Sequence, residues 1–222
     1  MLCREDMGLT LEVGSGLSPV ATITDRIVYT DLSFSAVRRL RQNERKGWYI
    51  VADATHLPFK KTSFSHVIAS EVLEHLPDDS MALREMAAVM KRSGRLIITF
   101  PHRRVYFALD DRFVHHFRRY DLHEMSEKLA AAGLYPVVVK KVLGPLEKVT
   151  MMAMVGAVHL VRKLGLQTTV AGKEPRGLVI MALFFKWANR FYAGLVWLEA
   201  LIMPRNLSSV LLIMAEKGND RD

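Results

Sequence analysis

Seven short runs rich in β-branched and aromatic residues set the frame for this chain: LTLEV (9–13), IVYT (27–30), WYIVA (48–52), HVIAS (66–70), RLIITF (95–100), YPVVVKKVL (135–143) and SSVLLIMAE (208–216). Most are continuously apolar rather than alternating, and Gly, Asp or Pro bounds them. That pattern predicts strands buried on both faces of a sheet. Helix-like stretches lie between them. SAVRRLRQNERK (35–46) has a basic face, DDSMALREMAAVMKRSG (78–94) has an Asp/Ser start and a Gly stop, and DLHEMSEKLAAAGL (121–134) repeats that design. Strand and helix in alternation predict an α/β fold with a doubly wound parallel sheet.

In such a sheet a ligand sits beyond the carboxyl ends of the strands. The loop after the first run reads Gly14-Ser15-Gly16, where glycines let a ligand approach the backbone and a following helix offers its N–H groups. A short G-x-G is weak by itself. Three acids sharpen it. Glu12 precedes the first glycine by two residues, Asp31 ends the second run 19 residues after Glu12, and Asp53 follows the third run 22 residues after Asp31. An acid after the second strand accepts hydrogen bonds from two ribose hydroxyls, and one after the third can accept from an exocyclic amine. A dinucleotide would want a glycine at position 19, where Pro19 stands, and no basic loop awaits a pyrophosphate. The ligand implied is an adenosine without a phosphate chain.

These stretches resemble the class I S-adenosylmethionine-dependent methyltransferases, and within them the small-molecule type 11 group. LEVGSG is similar to the family's first motif and YTDLS to its second. VADATHLPFKKTSFSHVIASEVLEHLPD (51–78) resembles its D-A-x-x-L-P-F…S-x-V-L-x-H sequence, and REMAAVMKRSGRLIITFP (84–101) the helix, turn and strand that follow. Ser18 stands for a frequent third glycine and Ser65 for a usual acid. Only 15 residues separate Gly16 from Asp31, so the first helix is expected about one turn short. The resemblance implies a seven-stranded Rossmann-like sheet with an antiparallel last strand, and S-adenosyl-L-methionine as cofactor. It places Glu12, Gly14, Ser15 and Gly16 along the methionine part of the cofactor, Asp31 and Leu32 at ribose and adenine, Asp53 and Ala54 at the adenine edge, and Ser70 and Glu71 near the sulfonium. His75 is a candidate base. The stretch DDRFVHHFRRYDLHEM (110–125) resembles a substrate-side H-x-R-R-Y segment, so that His116, Arg118, Arg119 and Tyr120 would face the acceptor, with His116 and Tyr120 as further catalytic candidates.

The expected division is a methyltransferase core at 1–143, an apolar helical insertion at 144–206, and the last strand with its tail at 207–222. Within the insertion, VTMMAMVGAVHLV (149–161) and GLVIMALFFKWANRFYAGLVWLEALIMP (177–204) are almost free of charge. Lys186, Asn189, Arg190 and Ala193 fall on one helical face, and Arg162, Lys163, Lys173 and Arg176 add positive charge between the two stretches. Three readings stand: a contact with an anionic membrane surface, a lid over an apolar pocket, or a homodimer interface. The net charge of +8 suits an anionic partner. One cysteine, Cys3, excludes disulfide frameworks and cysteine zinc sites, and no metal is expected. No signal-peptide run or clean span of membrane length is seen, so a cytoplasmic protein, membrane-associated under the first reading, is expected. The activity this implies is methyl transfer to a small, hydrophobic or lipid-like acceptor. An RNA or protein methyltransferase and a non-catalytic cofactor-binding module are the alternatives. SEVLEH after the fourth run, in place of an N/D-P-P-Y/F loop, counts against base methylation and so against nucleic acid as a partner.

Overall fold

The computed structural model describes residues 8–21, 25–43, 46–163, 190–196, 198–199 and 201–218. The seven apolar runs form strands β1 (Thr10–Val13), β2 (Ile27–Asp31), β3 (Trp48–Val51), β4 (Phe64–Ser70), β5 (Met90–Pro101), β6 (Leu134–Leu143) and β7 (Val210–Lys217). They make one sheet in the order β3-β2-β1-β4-β5-β7-β6. The pairs among the first five are parallel, and β7 is antiparallel to both β5 and β6. The order reverses at β1, so the carboxyl ends of β1 and β4 flank the crevice where such sheets bind ligands.

Side chains alternate between the two faces of the sheet. Leu11, Val67, Ala69, Leu96 and Ile98 join a core completed by Ala82, Leu83 and Met86 of helix α2 (Asp79–Val89) and by Met125 and Leu129 of helix α4 (Leu122–Ala131). On the opposite face Ile27, Tyr29 and Ile68 meet Leu40 of helix α1 (Phe34–Gln42). Each fully buried aliphatic side chain contributes roughly 1.5–3 kcal/mol. The edge strands depart from the expectation of two buried faces. In β3, Trp48 and Val51 are exposed, because a strand with one neighbour is covered less well.

Helix starts follow local chemistry. The Ser33 hydroxyl accepts from Ala36 N–H at the start of α1, and the Asp78 carboxylate accepts from Met81 N–H at the start of α2. The expected stop of the second helix at Gly94 is corrected: α2 ends at Val89, and Lys91–Gly94 belong to β5. They bulge out between the Phe64–Met90 and His66–Arg95 pairs, and a Cβ on Gly94 would lie 2.9 Å from the Lys91 carbonyl oxygen.

Helix α5 (Pro145–Lys163) opens the segment before β7. Its Leu146 N–H donates to the Glu199 carboxylate at 3.0 Å, so an acid that only interrupts an apolar run in the sequence caps a helix from afar. Residues 190–196, 198–199 and 201–202 are helical, with Arg190, Phe191, Ala193, Leu195 and Leu198 exposed. Lys186 and Asn189 of the expected stripe, with Lys173 and Arg176, lie outside the described residues. Among the described residues no helix is long and apolar enough to cross a membrane.

Candidate active site

At the carboxyl end of β1 the chain must turn sharply. Gly14 has φ +67°, and a Cβ there would lie 2.6 Å from Val72 Cγ2, so both conformation and space demand glycine. Gly16, with φ +53°, donates its N–H to Asp31 Oδ2 at 2.9 Å. Ser15 is buried, its N–H and Oγ both directed to the Thr30 carbonyl. The loop is thus fastened to the end of β2.

Beside it opens a hollow of about 370 Å³, lined among others by Gly14, Asp31, Leu32, Asp53, Ala54, Glu71, Val72 and His75. Asp31 Oδ1 accepts from Ser33 N–H at 2.8 Å, so each carboxylate oxygen has one backbone donor and keeps a lone pair. Asp53 accepts Thr55 N–H and Thr55 hydroxyl, both at 2.8 Å and both on Oδ1. The bond from the Thr55 backbone, chief among these, holds Asp53 below its ordinary pKa and therefore ionised. Two acids at adjacent strand ends with spare acceptor capacity, beside a glycine-lined wall, suit a nucleoside with a diol and an exocyclic amine.

Glu12 is placed differently from the expectation. Its carboxylate accepts Val20 N–H at 2.8 Å and Ala21 N–H at 3.0 Å, and it does not line the hollow. No helix follows the glycines among the described residues 14–21, which form turns. Glu12 supplies from a side chain the acceptors that a helical turn would supply from its carbonyls. Ser15 and Gly16 are likewise absent from the lining; they shape the loop rather than the wall.

A second hollow, of about 410 Å³, lies on the far side of Glu71. Ser70, Thr99, Asp111, His116, Arg119 and Glu147 give it a polar side, while Val142, Leu143, Met151 and Val210 from β6, α5 and β7 give it an apolar one. Glu71 lines both hollows. Its φ of +53° is a strained conformation for a side chain of that size, held where β4 breaks into the 3₁₀ turn Leu73–His75. Burial pushes the Glu71 carboxyl above its ordinary pKa. Glu74 is pushed well above it, first by burial and then by the charge of Glu71. His75 is lowered by burial and by the neighbouring His116 ring, whose centroid lies 4.7 Å away.

The substrate-side stretch divides. His116 and Arg119 line the second hollow, with Arg119 Nε donating to Asp111 Oδ1 at 2.8 Å. Arg118 and Tyr120 do not. Tyr120 is fully buried and its hydroxyl donates to Asp79 Oδ2 at 2.7 Å; Arg118 donates to the same oxygen at 3.2 Å and to the Pro77 carbonyl. Burial, then the hydrogen bond to Asp79 and its charge, push the Tyr120 phenol far above its ordinary pKa, so it keeps its proton. Neither side chain lines the second hollow, because the chain carries both to the start of α2.

Sequence reasoning missed Glu74, Asp111 and Lys148. Lys148 of α5 is buried and clamps Asp110 and Asp111 of helix α3 (Leu109–Phe113) at 2.6–2.7 Å, which fixes α5 over the second hollow. The E-x-x-E spacing of Glu71 and Glu74, near one 3₁₀ turn, was the only available signal for Glu74.

Comparison with known proteins agrees with this geometry. Residues 11–98 match the sequence family described as a methyltransferase domain. Residues 11–98 form a methyltransferase domain, and their match supports the class I S-adenosylmethionine-dependent type 11 group. A probable S-adenosylmethionine-dependent methyltransferase of Mycobacterium tuberculosis is 27% identical over 126 residues, 56% of this chain and 46% of that protein. A demethylmenaquinone methyltransferase of Mycobacterium marinum is 36% identical over 93 residues, 42% of this chain and 40% of that one. The chain thus spans under half the length of these curated relatives. An S-adenosylmethionine-dependent methyltransferase structure from Mesorhizobium loti superposes with TM-score 0.62 at 14% identity, covering 97% of this chain and 94% of that one. At that identity it shows the shared fold. The methyltransferase domain carries S-adenosyl-L-methionine as its family cofactor, and the hollow between β1, β2 and β3 is where its strand-end acids lie.

Proposed function

We propose that the chain transfers a methyl group from S-adenosyl-L-methionine to a small, largely apolar acceptor lodged in the second hollow. The observation that carries this reading is Glu71, a single residue that lines both hollows and so sets them side by side. Asp31 would accept from the ribose hydroxyls, Asp53 from the adenine amine, Leu32 and Ala54 would pack the base, and the Gly14 backbone would lie along the methionine. Glu71 offers a carboxylate toward the sulfonium.

The cofactor, when bound, supplies a methyl group already activated by its positive sulfur. The protein's own work is orientation and exclusion of water. Val72 presses on Gly14 and fixes the wall of the first hollow. Met151, Val142 and Val210 present an apolar face to the acceptor, and Lys148 holds Met151's helix in place. The exposed apolar residues Val149, Met152 and Met154 of α5 sit on the same helix, which suits entry of a lipid-like molecule. The resemblance to a demethylmenaquinone methyltransferase supports an acceptor of that class.

Calorimetric titration with S-adenosylhomocysteine tests the first hollow. Wild type is expected to bind, and Asp31→Ala to weaken binding by at least about 10-fold, since an unpaired ribose diol costs 1–3 kcal/mol. Wild-type protein that does not bind overturns the reading. Incubation with lipid and polar extracts and methyl-labelled cofactor then identifies the acceptor; label confined to RNA or protein would replace a small acceptor with a macromolecular one.

A further inference from the structure

We infer that Glu74, His75 and His116 bind a divalent transition-metal ion of the zinc class where the two hollows meet. One ligand atom from each residue lies within 4.8 Å of the others. Both Glu74 carboxylate oxygens are buried and accept no hydrogen bond among the described residues, and the residue is 0% exposed. An acid so deprived of water needs a proton or a cation. The Phe117 N–H donates to the Glu74 carbonyl at 2.8 Å, which ties the 3₁₀ turn to the stretch that carries His116.

His116 has the orientation of a ligand. Its Nδ1 lies 3.0 Å from Asp111 Oδ1, an acceptor oxygen that also takes the Arg119 Nε hydrogen, so Nδ1 is the nitrogen that donates. That leaves the Nε2 lone pair directed to the Glu74 side, 3.8 Å from Oε1. A carboxylate behind a histidine is the usual support of a metal-binding imidazole. Asp111 is itself fixed by Lys148, Arg119 and the Ala108 N–H, so the support is rigid. Ligand atoms around a tetrahedral ion with bonds of about 2.0–2.1 Å are about 3.3 Å apart. The observed spacings reach that by movements of up to about 1.5 Å.

Two imidazoles and a carboxylate leave one coordination position open, as in catalytic zinc sites. His75 lines the cofactor hollow and His116 the second one, so an ion between them is within reach of both. Its use, to hold an acceptor oxygen and ease loss of that oxygen's proton, rests on the transfer reading above. The site itself does not. It also moves His75 and His116 from candidate bases to ligands.

The test is zinc titration by calorimetry of the full chain after dialysis against a chelator, with cobalt(II) absorption reporting the ligand set. Wild type is expected to bind one ion per chain with ligand-field bands of a low-coordinate nitrogen and oxygen site. Glu74→Gln and His75→Gln should each lower zinc affinity at least about tenfold, as even removal of a supporting residue does. His75 is exposed and outside the hydrophobic core, so its variant guards against a misfolded Glu74 variant. Wild type that takes up no stoichiometric zinc, or variants that bind it as tightly, overturn the metal site and leave the transfer reading intact. Zinc binding at this site without S-adenosylhomocysteine binding overturns only the transfer reading.

Discussion

Asp79 and Glu74 are carboxylates five residues apart in sequence, and both are buried, at 2% and 0% exposure. Their surroundings are opposite. Asp79 receives the Tyr120 hydroxyl at 2.7 Å, the Lys128 ammonium at 2.8 Å, Arg118 at 3.2 Å and the Ser80 hydroxyl at 3.2 Å. Glu74 receives no hydrogen bond on either oxygen among the described residues. Burial pushes both carboxyls up in pKa. At Asp79 the donors, led by Lys128 and Tyr120, more than offset it and leave the acid below its ordinary value. At Glu74 the charge of another acid, Glu71, adds to the effect of burial, and the value goes well above. A buried acid that is fully bonded is architecture. One that is not is where the molecule has kept a place for something else.

Asp79→Ala should have the largest effect on stability. It removes the acceptor of a buried phenol and two cations at once, and breaking a buried ion pair costs about 3–5 kcal/mol. Lys128 and Arg118 keep partial access to water, their side chains being 23% and 34% exposed, so about 3 kcal/mol is expected in urea unfolding. The pH dependence has a definite sign. A folded-state pKa below the unfolded value of about 3.9 means that the contribution is complete above that pH and is lost as pH falls through the folded value. Wild type and Asp79→Asn should therefore differ in melting temperature at pH 7 and begin to converge below about pH 4. Curves that stay parallel would mean that Asp79 acts by shape and not by charge.

Tyr120→Phe is a smaller cut in the same knot. It deletes one hydrogen bond to an ionised acceptor, worth roughly 1.5–3 kcal/mol, and keeps the ring against Phe100. Stability should fall by about 2 kcal/mol while S-adenosylhomocysteine affinity stays unchanged. Reduced methyl transfer with unaltered stability would return Tyr120 to the acceptor's pocket and undo the contrast.

The legible parts of this molecule are those encoded locally. Buried strands announce themselves as apolar runs, and Asp31, Asp53 and Gly14 line the first hollow because each sits within two residues of the end of its strand. Glu12 has the same local signature yet serves the loop, because whether a helix follows the glycines depends on how the chain continues to Ala21. Arg118 and Tyr120 look like partners of His116 in sequence, but their acceptor, Asp79, lies 39 and 41 residues earlier. Lys148 reaches Asp110 across 38 residues. Glu74, His75 and His116 follow no ligand spacing, since two are adjacent and the third comes from another loop. Pairings across the fold leave no trace in a single sequence, and the sites they build become visible only in three dimensions.

The smallest effect should come from Glu74→Gln in metal-free protein. The substitution keeps shape and replaces an acid whose oxygens have no hydrogen-bond partner among the described residues. The new amide brings two buried donors, and Glu71 Oε1, a buried oxygen with no partner of its own, acts on Glu74 closely enough to accept one. One unpaired donor gained against one uncompensated acid lost leaves a net change below about 1 kcal/mol in either direction. Urea unfolding in chelator, run beside Asp79→Ala, measures the contrast directly. A loss comparable to that of Asp79→Ala would mean that the Glu74 carboxylate already holds a donor on which the fold depends, and two acids that look opposite would then share one structural task.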